Sequence, residues 1–217
     1  MTRAELDLAL PGAIPADERV IWHGRPDWVG LARRAFRIEW VMLYFALLAL
    51  WVAAAPVFEG AWDAVPLTLA KTAGLAALAA AVLGALAWLS ARTTLYVVTS
   101  RRVVMRVGIA LPVFLNLPFT RVGAAAARTF ADGTGDISLH LSGDDRIAYL
   151  TLWPHARPGR FTRPEPTLRA IPQCALVAEG LSRALIGAQG GGVATPVRSA
   201  PKREPARPAF GAPALNH

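Results

Sequence analysis

The chain has 217 residues, 54% of them apolar and 18% charged, with 23 Lys and Arg against 15 Asp and Glu for a formal net charge of +8. Such a composition is too apolar for a disordered protein, and the single cysteine, Cys174, excludes an internal disulfide and a thiolate zinc site.

Residues 1–39 hold six arginines and six acids and no apolar run, so they read as a cytoplasmic N-terminal segment rather than a secretory leader. Two uncharged apolar runs follow, Trp40 to Phe58 between Glu39 and Glu59, and Thr72 to Ala91 between Lys71 and Arg92. A helix rising about 1.5 Å per residue needs about 20 residues to cross a bilayer core. At 19 and 20 residues, each run can cross once. Buried helices of a water-soluble core are the competing reading, but neither run shows the polar face of a surface helix. Residues 40–91 are therefore expected to form a two-helix transmembrane hairpin. Gly74, Ala77, Ala81, Gly84 and Ala85 would let the helices approach closely, and the same small faces could serve a homodimer. Arg33, Arg34 and Arg37 precede the hairpin and Arg92, Arg101 and Arg102 follow it, while the connecting loop offers Lys71 against Glu59 and Asp63. The positive-inside rule then gives a multi-pass protein of the bacterial inner membrane with both termini cytoplasmic. Trp40, Trp62 and Trp88 fall at the expected interfaces.

Beyond Arg92 the period changes from helix to strand. Leu95–Thr99 and Val103–Ile109, split by Ser100, Arg101 and Arg102, read as a hairpin; a third strand, Val113–Leu117, is confined by Pro112 and Pro118. Further strands fit Ala125–Phe130, Ile137–Leu141 and Arg146–Leu152, separated by the polar turns at 132–136 and 142–145. The stretch from Val103 to Phe119 is nearly apolar enough for a third span. Arg106 inside it costs about 2.5–3.5 kcal/mol on insertion scales and two prolines interrupt it, so strands fit better. The proline-rich segment at 153–166 reads as a surface loop, and Gln173–Ile186 as a helix with an apolar stripe. The fold expected is membrane α plus β: a transmembrane helix hairpin followed, over residues 92–186, by a pleckstrin-homology-like antiparallel β-barrel capped by a C-terminal helix. Residues 187–217 read as a disordered basic tail.

Residues 92–183 carry twelve arginines against six acids. A domain so charged beside a membrane is drawn to anionic phospholipid, at about 1 kcal/mol per residue that reaches the surface. No basic stripe with interleaved aromatics marks a nucleic-acid binder. Cys174 stands in a helical pattern as a small buried residue, and His23, His140, His155 and His217 are scattered as surface or turn residues. No metal-ligand spacing or nucleophile elbow occurs, so no enzyme, no metal and no cofactor is expected.

The lead at 16–28, ADERVIWHGRPDW, carries an E-x-x-x-W-x-G-x-P pattern, and YVVTSRRVVMRVGI (96–109) follows the hairpin. In both the chain resembles the bacterial pleckstrin-homology family of membrane proteins. RRVVMRVGIALPVFLNLPF (101–119) and YLTLWPHARPGRFTRPEPTLRAIP (149–172) resemble, within that family, the photosynthetic-complex assembly proteins of purple bacteria encoded beside the reaction-centre H subunit. The resemblance implies a non-enzymatic role in assembling the reaction centre, whose subunits and core light-harvesting polypeptides would be the partners. A general lipid-binding or envelope-maintenance protein is the alternative. Arg101, Arg102 and Arg106 are expected either to dock the domain on lipid or an acidic client, or to act only as a positive-inside cluster. Trp153, His155 and Arg157 read either as a partner-binding loop or as a rigid strap, with Trp153 in the barrel mouth and Arg157 paired to a carboxylate. Trp22 and Trp28 admit the same two roles, or interfacial anchoring.

Overall fold

The computed structural model of the protein describes residues 5–199 apart from 7–8, 11, 143–147, 158, 160–161, 163 and 189–194. Period-two alternation builds its strands. Val103, Met105 and Val107 of β3 (Arg102–Val107) face one way into a core, while Val104 and Arg106 face the other. The strand β3 lies between β2 (Leu95–Thr99) and β4 (Val113–Pro118), and β1 (Val20–Gly24) pairs with the far side of β2, giving an antiparallel sheet in the order β1-β2-β3-β4. A 3₁₀ turn at Phe119–Arg121 leads into the second sheet, ordered β7-β6-β5-β8, from β5 (Val122–Thr129), β6 (Gly135–Leu141), β7 (Thr167–Ile171) and β8 (Thr195–Ser199). The sheets share one core. Tyr96, Val98, Met105, Leu117, Ile137, Leu139 and Leu168 fill it, and Cys174, Val177, Leu181 and Leu185 of the C-terminal helix close it.

The lead before the hairpin is therefore part of the sheet domain rather than a separate segment. Val20 pairs with Thr99 and Gly24 with Tyr96 across the intervening helices. The expected barrel is not closed, because the described strands form two separate four-stranded sheets. Pro118 has no N–H to extend the β4 ladder, and the 3₁₀ turn carries the chain round a corner to the other sheet. The strand expected at 146–152 is instead a short helix at Tyr149–Leu152, its residues 146–147 lying outside the described ones. Both edges of β6 are already taken, by β5 and by β7, so no ladder is left for it. The tail is not wholly unstructured either: residues 187–188 end the C-terminal helix and Thr195–Ser199 pairs in parallel with the free edge of β5. Its residues 189–194 and 200–217 lie outside the described ones.

Ahead of and within the hairpin are α1 (Trp28–Arg34), α2 (Ile38–Phe58) and α3 (Ala64–Thr93). The last two are long and apolar enough to cross a membrane, and α2 has no buried residue. Helix α3 begins at Ala64 instead of Thr72, so Lys71 lies inside it and the connection is only Glu59–Asp63. Pro66, in its first turn, is tolerated because the missing N–H would have no intrahelical partner there. At 30 residues against 21, α3 outruns α2, and the excess is at its C-terminal end. Ile38, at the start of α2, and Leu83 and Leu86 of α3 pack against one cluster that includes buried Ala87 and Ala91; Ser90 is buried too. The expected seam of small residues is on the wrong face. Gly74, Ala77, Ala81 and Ala85 are exposed, and Gly84 has open space beside it. Thr72, Ala76, Ala79, Leu83 and Ala87, on the opposite side, are the covered residues, so the mostly small side chains that meet the neighbouring elements are a different set from the expected one.

Candidate functional site

Where the hairpin meets the sheets, a buried polar cluster replaces apolar packing. Helix α3 ends at Thr94, whose N–H still bonds Ser90 O and whose backbone is extended, so the chain passes straight into β2. The Thr94 Oγ1 lies 3.0 Å from His155 Nε2, and the Tyr96 hydroxyl lies 2.7 Å from His155 Nδ1. The Arg169 N–H donates to the same hydroxyl at 3.2 Å, so Tyr96 gives its own proton to Nδ1. With the ring as the Nε2–H tautomer, donating to Thr94, each of these contacts has one donor and one acceptor. Histidine 155, Thr94 and Tyr96 are all essentially inaccessible. Burial, and then the Arg169 charge, hold the imidazole neutral with its pKa pushed down to about 3. Burial likewise moves the Tyr96 phenol well above its ordinary range.

Arg169 extends the cluster to three further elements. It donates to Pro154 O at 3.1 Å and to Arg34 O, at the end of α1, at 3.4 Å, and its Nε stands 3.7 Å from Asp136 Oδ2 on β6. Asp136 Oδ1 accepts from Ala170 N at 2.9 Å, holding Ala170 at a φ of 49°. Ala170 O accepts from Asp27 N at 2.8 Å, and Asp27 in turn caps α1 through Gly30 N at 2.6 Å. A side chain at Gly30 would meet Ala170 Cβ at 2.9 Å, so glycine lets α1 lie close on β7. Leu31, Ala32 and Phe36 then pack on Ala87 and Ala91 of α3. Arg34 finishes the clamp, stacking 3.7 Å over Phe130 and bonding Thr134 and Asp132 in the β5–β6 turn. One short helix therefore ties the hairpin to the second sheet.

The three arginines expected to dock together are separated. Arg102 bonds buried Glu18 through Nε at 2.8 Å and Nη2 at 2.7 Å, and Thr99 Oγ1 donates to the same carboxylate. Burial opposes the Glu18 charge, but the bonds from Arg102 and Thr99 outweigh it and its pKa falls below the ordinary value. Arg101 makes an exposed pair with Asp17 at 2.7 Å. Both arginines sit at the end of the β2–β3 hairpin remote from α3, contrary to their expected place beside helix two; the strand between carries them away. Arg106, opposite Leu95, is the one near the helix, and its Nη1 lies 3.4 Å from Ala9 O.

The segment at 153–157 is a strap. Arg157 Nη1 donates to Glu165 Oε2 at 2.7 Å, and His140 Nδ1 lies 3.1 Å from Glu165 Oε1. His155, expected at a surface or turn, is instead the centre of the buried cluster. Trp153 does not fill a barrel mouth. It stands half exposed with its ring 5.2 Å edge-to-face from Phe36, beside the start of α2. Trp22 packs on the core over Gly24, whose hydrogen leaves room for the indole, while Trp28 is exposed on α1. Glu18, Trp22 and Gly24 of the lead thus meet Thr99 and Arg102 of the later motif, so the two halves of the resemblance are one contact. None of Thr94, Tyr96, Asp136, Arg169 and Ala170 stands out singly in the sequence, although Tyr96, Arg169 and Ala170 lie within the stretches that carry the resemblance. Among the described residues no three His, Cys, Asp or Glu side chains gather as metal ligands would.

The chain is 37% identical over 177 residues to an uncharacterized 23.7 kDa protein in the puhA 5′ region of Rhodobacter capsulatus, covering 81% of this chain and 83% of that one. No solved structure matches it. Residues 37–185, from the start of the hairpin to the last turns of the C-terminal helix, match the bacterial PH domain family. With two largely antiparallel sheets closed by that helix and fused to an apolar hairpin, the chain belongs to the bacterial pleckstrin-homology domain family.

Proposed function

We propose that the protein is a non-enzymatic assembly factor for the photosynthetic reaction centre and its core light-harvesting complex. In this reading α2 and α3 span the bacterial inner membrane, and the sheet domain and both termini are cytoplasmic. The observation that carries it is the fusion of two apolar helices of bilayer length to a binding-type fold through α1 and the His155 cluster. Such a join holds a recognition surface at a set distance and tilt from lipid, which is what a scaffold for membrane subunits requires. The client is drawn from the relative encoded in the 5′ region of puhA, the reaction-centre H gene. Orientation is drawn from charge: Arg33, Arg34, Arg37 and Arg92 lie at one end of the hairpin and Glu59 and Asp63 at the other. Arg92 also stacks 5.0 Å from Trp88, an interfacial pairing that suits anionic phospholipid on the same side.

An in-frame deletion in the native host, read by near-infrared absorbance of isolated membranes, tests it. The reaction-centre bands should fall several-fold and return when the gene is restored in trans. Normal absorbance, with a defect only in envelope integrity, would reject the assembly role in favour of a general membrane-maintenance one.

A further inference from the structure

We propose that the β3–β4 turn, residues 108–112, is a lipid-inserting wedge that seats the sheet domain on the bilayer surface. It rests on the reading of α2 and α3 as membrane-spanning. The turn reads Gly-Ile-Ala-Leu-Pro, without a polar side chain, where a water-facing hairpin turn ordinarily recruits Asn, Asp or Ser. Leu111 is 80% exposed and Ile109 39%, and Phe114 just beyond is also exposed. The turn is tight, since Gly108 has a φ of 114° and any side chain there would strike the Leu111 carbonyl. A stiff turn presenting two aliphatic side chains loses little entropy on insertion.

Register fixes which way it points. Leu95, one residue past the Thr94 cap of α3, pairs with Arg106, so β2 leaves the helix at the end of the sheet where β3 arrives. If the hairpin crosses a bilayer, β2 must lead away from lipid, because a sheet domain with charged edges cannot re-enter it. β3 then runs back, and it touches α3 on the way. Past Arg106 the strand runs one more residue, to Val107, before the five-residue turn projects beyond it. At 30 residues against 21, helix α3 reaches further than α2, by about 14 Å at about 1.5 Å per residue. The tip therefore points back toward the hairpin, where hydrocarbon gives way to headgroups. Arg106 lies just above it, 5.9 Å from the Phe114 ring, a cation at headgroup height over an apolar tip. The other end of the same sheet is polar, with Arg101 paired to Asp17 and Ser100 Oγ accepting from Arg19 N. The occupant is therefore lipid, and the near-apolar character of residues 103–119 is explained without a third span.

The native thiol of Cys174 is buried, so a single surface cysteine in the full-length protein can be labelled selectively with an environment-sensitive fluorophore. Three variants are compared in vesicles of phosphatidylcholine and phosphatidylglycerol with brominated acyl chains: Leu111→Cys, Leu47→Cys in α2, and Thr120→Cys at the polar end. Emission from 111 and 47 should shift blue and be quenched, and that from 120 should do neither. Quenching at 47 without quenching at 111 would overturn the wedge and leave the membrane hairpin standing. A blue shift at 111 that bromine does not quench would overturn it too, assigning the turn to a second copy or a protein client. No quenching at 47 would remove the membrane reading and the wedge together.

Discussion

Replacing His155 with Ala is expected to lower the unfolding free energy of the sheet domain by about 3 kcal/mol or more, read as a fall in the melting temperature of the detergent-solubilised protein. Two buried hydroxyls, on Thr94 and Tyr96, lose their partner, at about 1–3 kcal/mol for each unsatisfied group, and the missing ring leaves a cavity. His155→Phe, which keeps the volume and loses both bonds, separates the two costs. The pH dependence has a definite sign. The imidazole has a reference pKa of 6.5 when unfolded and about 3 when folded, so between those values the unfolded chain binds a proton that the folded one does not. Stability from this residue is fully present above 6.5 and declines as pH falls through that window. His155→Gln should flatten that part of the profile; an unaltered slope would mean that the ring is not held neutral. Because Thr94 terminates α3, the same variants should loosen the hairpin against the domain, seen as faster amide exchange at Ala91–Leu95.

How much of this was legible in the sequence depended on the range of the contact. The hairpin was, because an uncharged run with no polar face has few places to go, and β2, β3 and β4 were, because prolines bound the last of them. The C-terminal helix followed from its period. The closing of the β1–β2 ladder was not, since Val20 meets Thr99 across two long helices and nothing local announces it. Nor was β7, whose approach is rich in proline although Leu168 and Ile171 are core residues. The small residues of α3 were misread because spacing alone gives a face but not the direction in which it points. At the junction, Arg157 pairs with a carboxylate as the strap alternative expects, while His155, read as a surface or turn residue, is buried. A polar residue is buried only where partners converge on it, and Thr94 and Tyr96 lie some sixty residues before His155 in the chain while Arg169 lies on a later strand. Grouping Arg101, Arg102 and Arg106 as a single docking patch failed for a related reason: strand alternation and the partner at Glu18 give each a different environment.

Those arginines yield the second large effect. Arg102→Gln should destabilise the protein by about 3 kcal/mol, since it strands the Glu18 carboxylate, 3% exposed, with Thr99 as its remaining bond among the described residues. Arg101→Gln removes a pair whose members are 63% and 60% exposed, and should change stability by less than about 1 kcal/mol. The gap between neighbours is the signature of a structural rather than a docking role for Arg102, and it would vanish if both served lipid. Acid should narrow it. In the intact protein Glu18 has its pKa below the ordinary 4.5, so its contribution is present above that value and is lost as pH falls through the lower folded one. In Arg102→Gln the carboxyl, buried without its cation, titrates above the ordinary value and is relieved by protonation. The wild-type melting temperature therefore falls on acidification while that of the variant falls less, and the two curves converge at low pH. Parallel curves would mean that Glu18 is solvated and that the lead is not held to β2 and β3 by this pair. Since Glu18 precedes the hairpin and Arg102 follows it, convergence would also establish that the two chain segments flanking the helices close on one another, the condition under which the domain can carry a fixed orientation to whatever it helps assemble.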